Sequence, residues 1–383
     1  ADTAAAASGA AAEQLAAQQL LLSECHRYAA LAELRKAFER RWKATWGYAA
    51  PAEAFNAWLF EALNSAEADW PPIPGPWAVA CSHEASPAIQ KWALLQVPTD
   101  WPYARDLAAA HRNLERYVTA LKSPKGEADL QVWEPIAAEE VDAAAERLRA
   151  EVHADPASVL RAVQQILQPL AATSIAASVL RLSKEIVALS DEIRQTWSRR
   201  CQQSCNNFGE QALHVLVACA DEPSRKKGCN AEASKVRLEM KGSLPEGLEG
   251  KLPRRFAIHR QHFEKLQKLF QKSTADAAAL AGAGQNVRKR AAFEASSWAL
   301  LLRYQALFGP HDEGAGWHMA LSPQVMESLV DDFEVECELF ASPLNCSLPA
   351  YCSLFVDCDS SFASCGSFFR FCCGPLVQRG GSF

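Results

Sequence analysis

The spacing of apolar residues along the chain changes near Ser234, and this change limits the fold more than any other feature. Before it, apolar residues recur at helical steps of three and four. The clearest such series is Ile175, Val179, Leu182, Ile186, Leu189, Ile193 and Trp197. After it, Val236, Leu238 and Met240 alternate with charged residues, as in a half-buried strand. The sequence therefore predicts a helical N-terminal region followed by a region that mixes strands and helices.

The helical region is predicted to span residues 13–200. Its expected helices cover residues 13–46, 51–63, 106–121, 137–152 and 157–170, the last ending near Pro169. The series from Ile175 to Trp197 favours a seam inside one molecule over a coiled-coil dimer, because the repeat lasts barely three heptads. The Ala-rich residues 1–12 lack a basic segment, and we expect them to be disordered rather than a signal peptide.

Residues 230–383 are predicted to form an α/β domain. A second strand is expected over 252–258, at a sheet edge because of Pro253, and helices over 259–272 and 290–308. A further strand is expected over 335–341, followed by a sharp turn and a helix from about Ser347. Alternation of strand and helix predicts a parallel or mixed sheet, whose ligands dock at the carboxyl ends of the strands.

Composition excludes several classes of protein. The 383 residues are 49% hydrophobic, which supports buried cores. The sequence contains no run of about 18 apolar residues, so it predicts no membrane span. The net charge of −6 argues against a protein that coats nucleic acid non-specifically, although it leaves room for a local basic groove. No G-x-S-x-G, H-E-x-x-H or G-x-x-x-x-G-K-[ST] motif is present, so nothing indicates a hydrolase or a nucleoside-triphosphate motor.

The 13 cysteines are concentrated near the C-terminus, where seven of them follow Val335. Zinc sites usually require close C-x2-C pairs, and the sequence contains none. We therefore expect no metal, and we interpret the cysteines as buried, reduced thiols of an intracellular protein.

The most specific pattern in the chain is the segment 335–371, VECELFASPLNCSLPAYCSLFVDCDSSFASCGSFFRF. Together with WALLLRYQALF at 298–308 and FNAWLFE at 55–61, it resembles the phosphorylated-CTD-interacting factor family, the cap-specific adenosine N6-methyltransferases of RNA. The match runs without a gap from Glu338 to Gly366, although Leu339 stands where the family has a Cys.

The resemblance implies a Rossmann-like class I methyltransferase domain with S-adenosylmethionine as its cofactor. By their position after a predicted strand, the residues expected to line the cofactor pocket are Ser342, Pro343, Leu344 and Asn345. Asp359, with Asp357, is expected to accept hydrogen bonds from ribose hydroxyls, and Ser364 and Gly366 to lie in a nearby loop. The alternatives are a capped turn with no ligand and ordinary turn aspartates.

The catalytic Asn-Pro-Pro-Phe motif of the family is absent from the sequence, which contains no Asn-Pro-Pro triplet. That motif would strip water from the adenine amine, orient it and stack it. We therefore interpret the chain as a fragment truncated before the motif, with no catalytic residues of its own, and expect it to be inactive. Family glycines are also replaced at Ser360 and Ala363, which favours a second hypothesis, a non-catalytic adaptor for RNA or for phosphorylated polymerase tail.

The partner implied by the resemblance is capped mRNA in the nucleus. Arg105, Arg112 and Arg116 lie on one predicted helix face, where they could bind the phosphates of a cap; a solvated helix face is the alternative. The family name also implies binding to the phosphorylated C-terminal domain of RNA polymerase II. A WW module is not predicted between Trp46 and Trp70, because the intervening residues are helical, so that binding is expected to reside in missing sequence.

Overall fold

The structure is a computed structural model in which ten stretches of the chain are described. They are residues 2–51, 53–65, 85–95, 107–122, 136–151, 155–206, 213–220, 235–281, 288–308 and 321–367. These residues divide into two compact units. The helical unit comprises Glu33–Asp69 and Trp77–Arg194, and the mixed unit comprises Ala1–Ala32 and Gln195–Phe383.

Helices account for every regular element before residue 207 among the described residues. They are α1 (Asp2–Trp46), α2 (Ala54–Ser65), α3 (Pro87–Leu95), α4 (Leu107–Lys122), α5 (Ala138–Glu151), α6 (Pro156–Ala162) and α7 (Gln168–Asn206). Helix α1 begins at Asp2, although we expected disordered chain up to residue 12. The physical reason is the run of alanines, the residue with the highest helix propensity.

A π-helical turn, Val163–Leu167, joins α6 to α7 without a break. The sequence predicted that the helix would end near Pro169, but the chain continues helically to Asn206. A π turn bonds residues five apart, and this shift of the hydrogen-bond register accommodates the missing N–H of the proline.

The helical unit is held together by buried apolar side chains. Phe38 of α1 contacts Trp42 of the same helix and both Phe55 and Trp58 of α2, and ring centroids in this cluster lie 5.4 to 5.9 Å apart. Along α7 the predicted seam is buried within this single chain, since four of its residues are completely inaccessible. They are Ile175, Val179, Leu182 and Ile186.

The stretch Pro156–Asn206 is long and apolar enough to cross a membrane, judged by length and composition alone. Core helices of soluble proteins pass the same test, and the seam residues of this stretch are buried inside the protein. The absence of a membrane partner stays a prediction.

The mixed unit contains a three-stranded antiparallel sheet in the order β1 (His214–Ala220), β2 (Lys235–Lys241) and β3 (Arg255–His259). Strand β2 shows the predicted alternation, with Val236, Leu238 and Met240 buried, and β3 lies at an edge as predicted. The expected parallel or mixed sheet was wrong for these strands. Strands β2 and β3 are joined by residues 242–254, a described loop that contains no crossover helix, so these two strands pair antiparallel.

Helices α8 (Arg260–Ala281) and α9 (Arg288–Phe308) pack against the sheet. Trp298 of α9 is fully buried and meets Phe256 of β3 edge to face at 5.8 Å. The remaining elements are α10 (Pro323–Phe333), α11 (Val356–Asp359) and a 3-10 turn, Ser360–Phe362. The molecule is thus mostly helical with one small sheet. The described strands form no doubly wound sheet, and the Rossmann-like arrangement stays a prediction.

Two local predictions near the C-terminus were wrong. Residues 335–341 form no strand and contribute only one isolated bridge, at Glu338, because the pairing partner around Tyr351 is very short. No helix begins at Ser347. The Glu338 carboxylate accepts hydrogen bonds from the N–H groups of Ser347 and Leu348, and Pro349 follows immediately, which favours an irregular turn.

Candidate functional site

Short parallel pairing brings the segments 338–341 and 350–353 side by side. The N–H of Glu338 donates to the carbonyl of Ala350 at 3.1 Å, and the N–H of Cys352 donates to the carbonyl of Glu338 at 2.7 Å. The N–H of Ala341 then donates to the carbonyl of Cys352 at 3.0 Å. Because the two segments run parallel, their carboxyl ends reach the same edge, which is where open α/β sheets bind ligands.

A third segment, residues 364–366, lies beside the second one. The N–H of Cys365 donates to the carbonyl of Tyr351 at 2.8 Å, and the N–H of Ser353 donates to the carbonyl of Gly366 at 2.9 Å. The hydroxyls of Ser353 and Ser364 are 2.6 Å apart. The structure therefore brings together two of the predicted site residues, Ser364 and Gly366, and adds Ser353, which the sequence analysis did not select.

Gly366 has a backbone conformation that favours glycine. Its φ is +101°, and a Cβ atom at this position would have no neighbour within 4 Å. Glycine is therefore required by the backbone angle, whereas the space beside it is open.

The turn Ser342–Asn345 is closed by its own hydrogen bonds. The backbone N–H and the hydroxyl of Ser342 both donate to Asn345 Oδ1, at 2.6 and 2.8 Å. Ser342 Oγ in turn accepts from the N–H groups of Leu344 and Asn345, both at 3.3 Å. Ser342 is 4% exposed. This geometry is that of a capped turn, the alternative that the sequence left open.

Lys265 of helix α8 fixes the far side of this turn. Its Nζ donates to the carbonyls of Leu344 at 2.7 Å and Cys346 at 3.1 Å. Burial lowers the pKa of this lysine. The sequence analysis missed Lys265, since its only signal is a position between the buried Phe263 and Leu266.

Asp359 is completely buried beneath the edge. Its carboxylate accepts from the hydroxyl of Tyr304 at 2.9 Å and from the N–H of Phe355 at 3.2 Å. Burial raises its pKa to about 7, against the lowering effect of these hydrogen bonds. In this arrangement Asp359 offers no exposed acceptor, and its carboxyl supports the turn from inside.

A buried ion network links α1 and α9 to the turn at Asp357. Arg303, with 1% of its side chain exposed, donates to both carboxylate oxygens of Glu24 and to those of Asp357, the latter at 3.1 and 3.2 Å. Its guanidinium lies 5.2 Å from the ring centroid of Phe355. Arg27 also pairs with Glu24. Arg303 and Tyr304 belong to the family-like segment 298–308, and their side chains contact Asp357 and Asp359 respectively.

The predicted RNA-binding arginines lie on α4 of the helical unit. Arg112 and Arg116 are exposed, and Leu114 and Val118 on the opposite face are buried, as the helical spacing indicated. Arg105 lies outside the described residues. Helix α4 also carries an acidic side chain, Glu115, whose carboxylate lies 3.2 Å from the guanidinium of Arg149 of α5.

The described cysteines are free thiols, and most are buried. Of the C-terminal group, Cys337, Cys346, Cys352 and Cys358 are buried and Cys365 is exposed. Within the described parts of the chain, no group of three or more His, Cys, Asp or Glu side chains could hold a metal ion.

Comparison with known proteins finds a likeness over part of the chain. Residues 265–383 match the family described as "Phosphorylated CTD interacting factor 1 WW domain". Proteins named "mRNA (2'-O-methyladenosine-N(6)-)-methyltransferase" from Mus musculus and Homo sapiens are each 32% identical over 170 residues, which is 44% of this chain and 20% of theirs. The chain thus matches about a fifth of the length of these curated relatives.

The resemblance to the phosphorylated-CTD-interacting factor family is therefore confirmed. The matched segment begins inside α8, after the last strand of the sheet. The described part of this segment contains most of α8, helices α9 to α11 and the turns at residues 342–345 and 364–366. The three strands β1 to β3 all precede it.

Proposed function

We propose that this relative of the phosphorylated-CTD-interacting factor family forms part of a nuclear enzyme that methylates N6 of the cap-adjacent adenosine of mRNA. S-adenosylmethionine would donate the methyl group. The observation that carries the proposal is the 170-residue similarity to two proteins named as mRNA methyltransferases. The capped mRNA is the substrate, and phosphorylated C-terminal domain of RNA polymerase II is a further partner that the family description suggests.

We place the methyl donor at the edge formed by residues 342–345 and 364–366. S-adenosylmethionine carries a sulfonium cation, ribose hydroxyls and an amino-acid group, so its site needs accessible acceptors and backbone N–H donors. The described residues fit this donor in part. Gly366 borders open space and Asp357 keeps 27% of its side chain exposed, whereas Asp359 is buried.

Within this edge the residues have different roles. Ser342, Pro343, Leu344 and Asn345 would border the donor through a turn that is already rigid, which lowers the entropy cost of binding. Ser364 and Gly366 would approach the donor directly. Asp359 would act from below by fixing the N–H of Phe355.

Methyl transfer itself depends on positioning and on exclusion of water, because a methyl group moves in line from sulfur to the amine. The 383 residues contain no Asn-Pro-Pro triplet that would hold the adenine. We therefore propose that this chain binds the donor and does not transfer the methyl group by itself. Arg105, Arg112 and Arg116 are the proposed phosphate contacts for capped RNA.

The test measures binding of labelled S-adenosylmethionine to two variants in which a glycine at positive φ is replaced by alanine. The two replacements strain the backbone in the same way. Gly366→Ala and Gly247→Ala each place a Cβ in open space at positive φ, +101° and +83°. We expect Gly366→Ala to weaken donor binding about tenfold or more, a loss of roughly 1.4 kcal/mol. Gly247→Ala should leave it unchanged. Equal binding by both variants would contradict the site.

A second measurement tests the reaction with the longest polypeptide that the transcript encodes around this chain. The substrate is a capped RNA whose first nucleotide is 2'-O-methyladenosine, and the control RNA has guanosine there. We expect labelled methyl on the adenosine RNA alone. No donor binding and no transfer by that polypeptide would overturn the proposal.

The alternative function is a non-catalytic adaptor for RNA or phosphorylated polymerase tail. One observation favours it: Ser342 Oγ and Asn345 Oδ1 are hydrogen-bonded to each other. An adaptor would bind capped RNA or phosphopeptide with the same affinity whether or not S-adenosylmethionine is present, and would bind no labelled donor.

A further inference from the structure

The outward face of the three-stranded sheet is basic. Along β2 the side chains alternate, so that Val236, Leu238 and Met240 enter the core and the residues between them point away from it. The outward residues of β2 are Lys235, Arg237, Glu239 and Lys241. Three of these four are cations, although the whole chain carries a net charge of −6. The charge of this face is therefore a local feature.

The strand register extends this face across β1 and β3. Glu239 lies opposite Leu216 on one side and Arg255 on the other, and its carboxylate pairs with Arg255 at 3.0 Å and with Lys241 at 2.8 Å. The single acid of β2 is thus already neutralised by two cations. The face retains an excess of positive charge.

Arg237 and Lys235 occupy the least crowded part of the face. Arg237 lies opposite Ala218 and Ala257, which are both exposed. Lys235 lies opposite Ala220 and His259. Alanine side chains do not rise above the backbone far enough to cover a neighbouring arginine. The two cations are exposed and accessible to a large polyanion.

We propose that this sheet face binds the phosphate backbone of single-stranded RNA. Outward residues of one strand are separated by about 6.6 Å, so Lys235 and Arg237 can reach successive phosphates of an extended chain. Among the outward residues of the three strands there is no Phe, Tyr or Trp for bases to stack on. Binding here is therefore electrostatic and independent of base sequence.

A phosphorylated peptide fits this face less well. Extended peptides join sheets at their edges, where backbone groups are unpaired, and their side chains need pockets for specificity. The basic residues lie on β2, which is the central strand and is paired on both sides. Flat, continuous positive charge is complementary to a polyanion with a charge at every unit.

The choice of RNA among polyanions rests on the proposed function, in which capped mRNA is the substrate. The sheet face would hold the RNA body, and the edge of residues 342–366 would hold the methyl donor. The two surfaces use different residues, so each can be disabled separately.

The experiment measures fluorescence anisotropy of a labelled 12-nucleotide oligouridine titrated with the 383-residue chain at several salt concentrations. The test variant is Lys235→Thr with Arg237→Thr, since threonine suits strands and faces outward without strain. The matched control is Lys268→Gln with Arg199→Gln, which also removes one lysine and one arginine charge, but from exposed helical positions of the same unit. Labelled S-adenosylmethionine binding is measured on both variants.

We expect the threonine variant to bind the RNA about tenfold more weakly at 0.1 M salt. Its slope of log affinity against log salt should be smaller by about 1.4, the value for two lost phosphate contacts on a single strand. The control should change the slope by less than half of that amount. Circular dichroism should show an unchanged fold for both.

Equal RNA affinity and slope in the two variants would overturn the proposal. A second result would also overturn it. If a phosphorylated polymerase-tail peptide binds the wild-type chain, does not bind the threonine variant and displaces the RNA at equal phosphate concentration, the face is a phosphopeptide site. Retained donor binding by the threonine variant distinguishes these outcomes from a failure of the proposed function.

Discussion

The helical unit and the mixed unit bury their central side chains in opposite ways. In the helical unit the buried ring of Phe38 meets the aromatic rings of Trp42, Phe55 and Trp58, whereas in the mixed unit a charged side chain, Arg303, is buried between two carboxylates. Apolar packing stabilises in proportion to buried area and does not depend on pH. A buried ion network stabilises only while every partner is present, because one unpaired charge is costly. The comparison predicts how each unit responds to mutation.

The largest expected effect is in the ion network. Arg303→Ala leaves Glu24 buried without its principal partner, and we expect a loss of about 5 kcal/mol in the free energy of unfolding. Urea unfolding followed by circular dichroism measures it. Arg290→Ala, on the same helix with 75% of its side chain exposed, is the control and should cost less than about 1 kcal/mol. Similar losses in the two variants would show that the network does not stabilise the mixed unit.

The aromatic core should be nearly as sensitive. Phe38→Ala removes a fully buried ring that contacts Trp42, Phe55 and Trp58, and we expect a loss of about 4 kcal/mol. Leu15→Ala, at a 51% exposed position of the same helix, should change the unfolding free energy by less than about 0.5 kcal/mol. The Phe38 effect should also be the same at pH 5 and pH 8. A marked pH dependence would contradict the purely apolar character assigned to this core.

The third prediction concerns the pH dependence of the mixed unit. The pKa of Asp359 is raised to about 7 in the folded protein from 3.8. Its contribution to stability is therefore fully present below about pH 4 and is lost as the pH rises through about 7. We expect this loss to be about 4 kcal/mol, since each pKa unit corresponds to about 1.4 kcal/mol, and Asp359→Asn should abolish it because asparagine does not ionise.

Urea unfolding at half-unit steps from pH 4 to pH 8 tests the Asp359 prediction. The control is Asp332→Asn, since Asp332 is exposed. A wild-type stability that rises over this range, with no difference between the two variants, would refute the assignment.

The smallest effect is expected on the surface of the helical unit. Arg149 pairs with Glu115 and Glu146, but all three side chains are substantially exposed. Arg149→Gln should cost at most about 0.5 kcal/mol and should cost nothing measurable in 1 M salt, which screens the pair. Arg147→Gln on the same helix is the control. A loss above 2 kcal/mol would mean that exposed and buried ion pairs contribute alike in this protein, which would remove the contrast between them.

Local periodicity was enough to predict most helices and strand β2. The helix predicted at 106–121 is α4, Leu107–Lys122, and the alternation around Leu238 is β2. Strand β1 was missed because HVLVACA is a continuous apolar run, which has no period to distinguish a strand from a helix. Pro169 was interpreted as a helix end because a π turn has no sequence signal.

The candidate site was predicted only in its local parts. The turn at Ser342 is determined by residues three positions away, and it forms as a turn. The burial of Asp359 depends on Tyr304, 55 positions earlier, and the pairing of Arg303 with Glu24 spans 279 positions. No local pattern reveals such partners, since each pair meets only after the helices have packed.

The π turn at Val163–Leu167 has a consequence for how this protein can vary in length. A π turn fits five residues into roughly the angle that four residues cover in an α-helix. Removal of one residue from this turn would therefore restore a regular α-helix, and Val159, which is completely inaccessible, would keep its place in the core. The same removal from a regular part of α7 would instead rotate the flanking helix by about 100°.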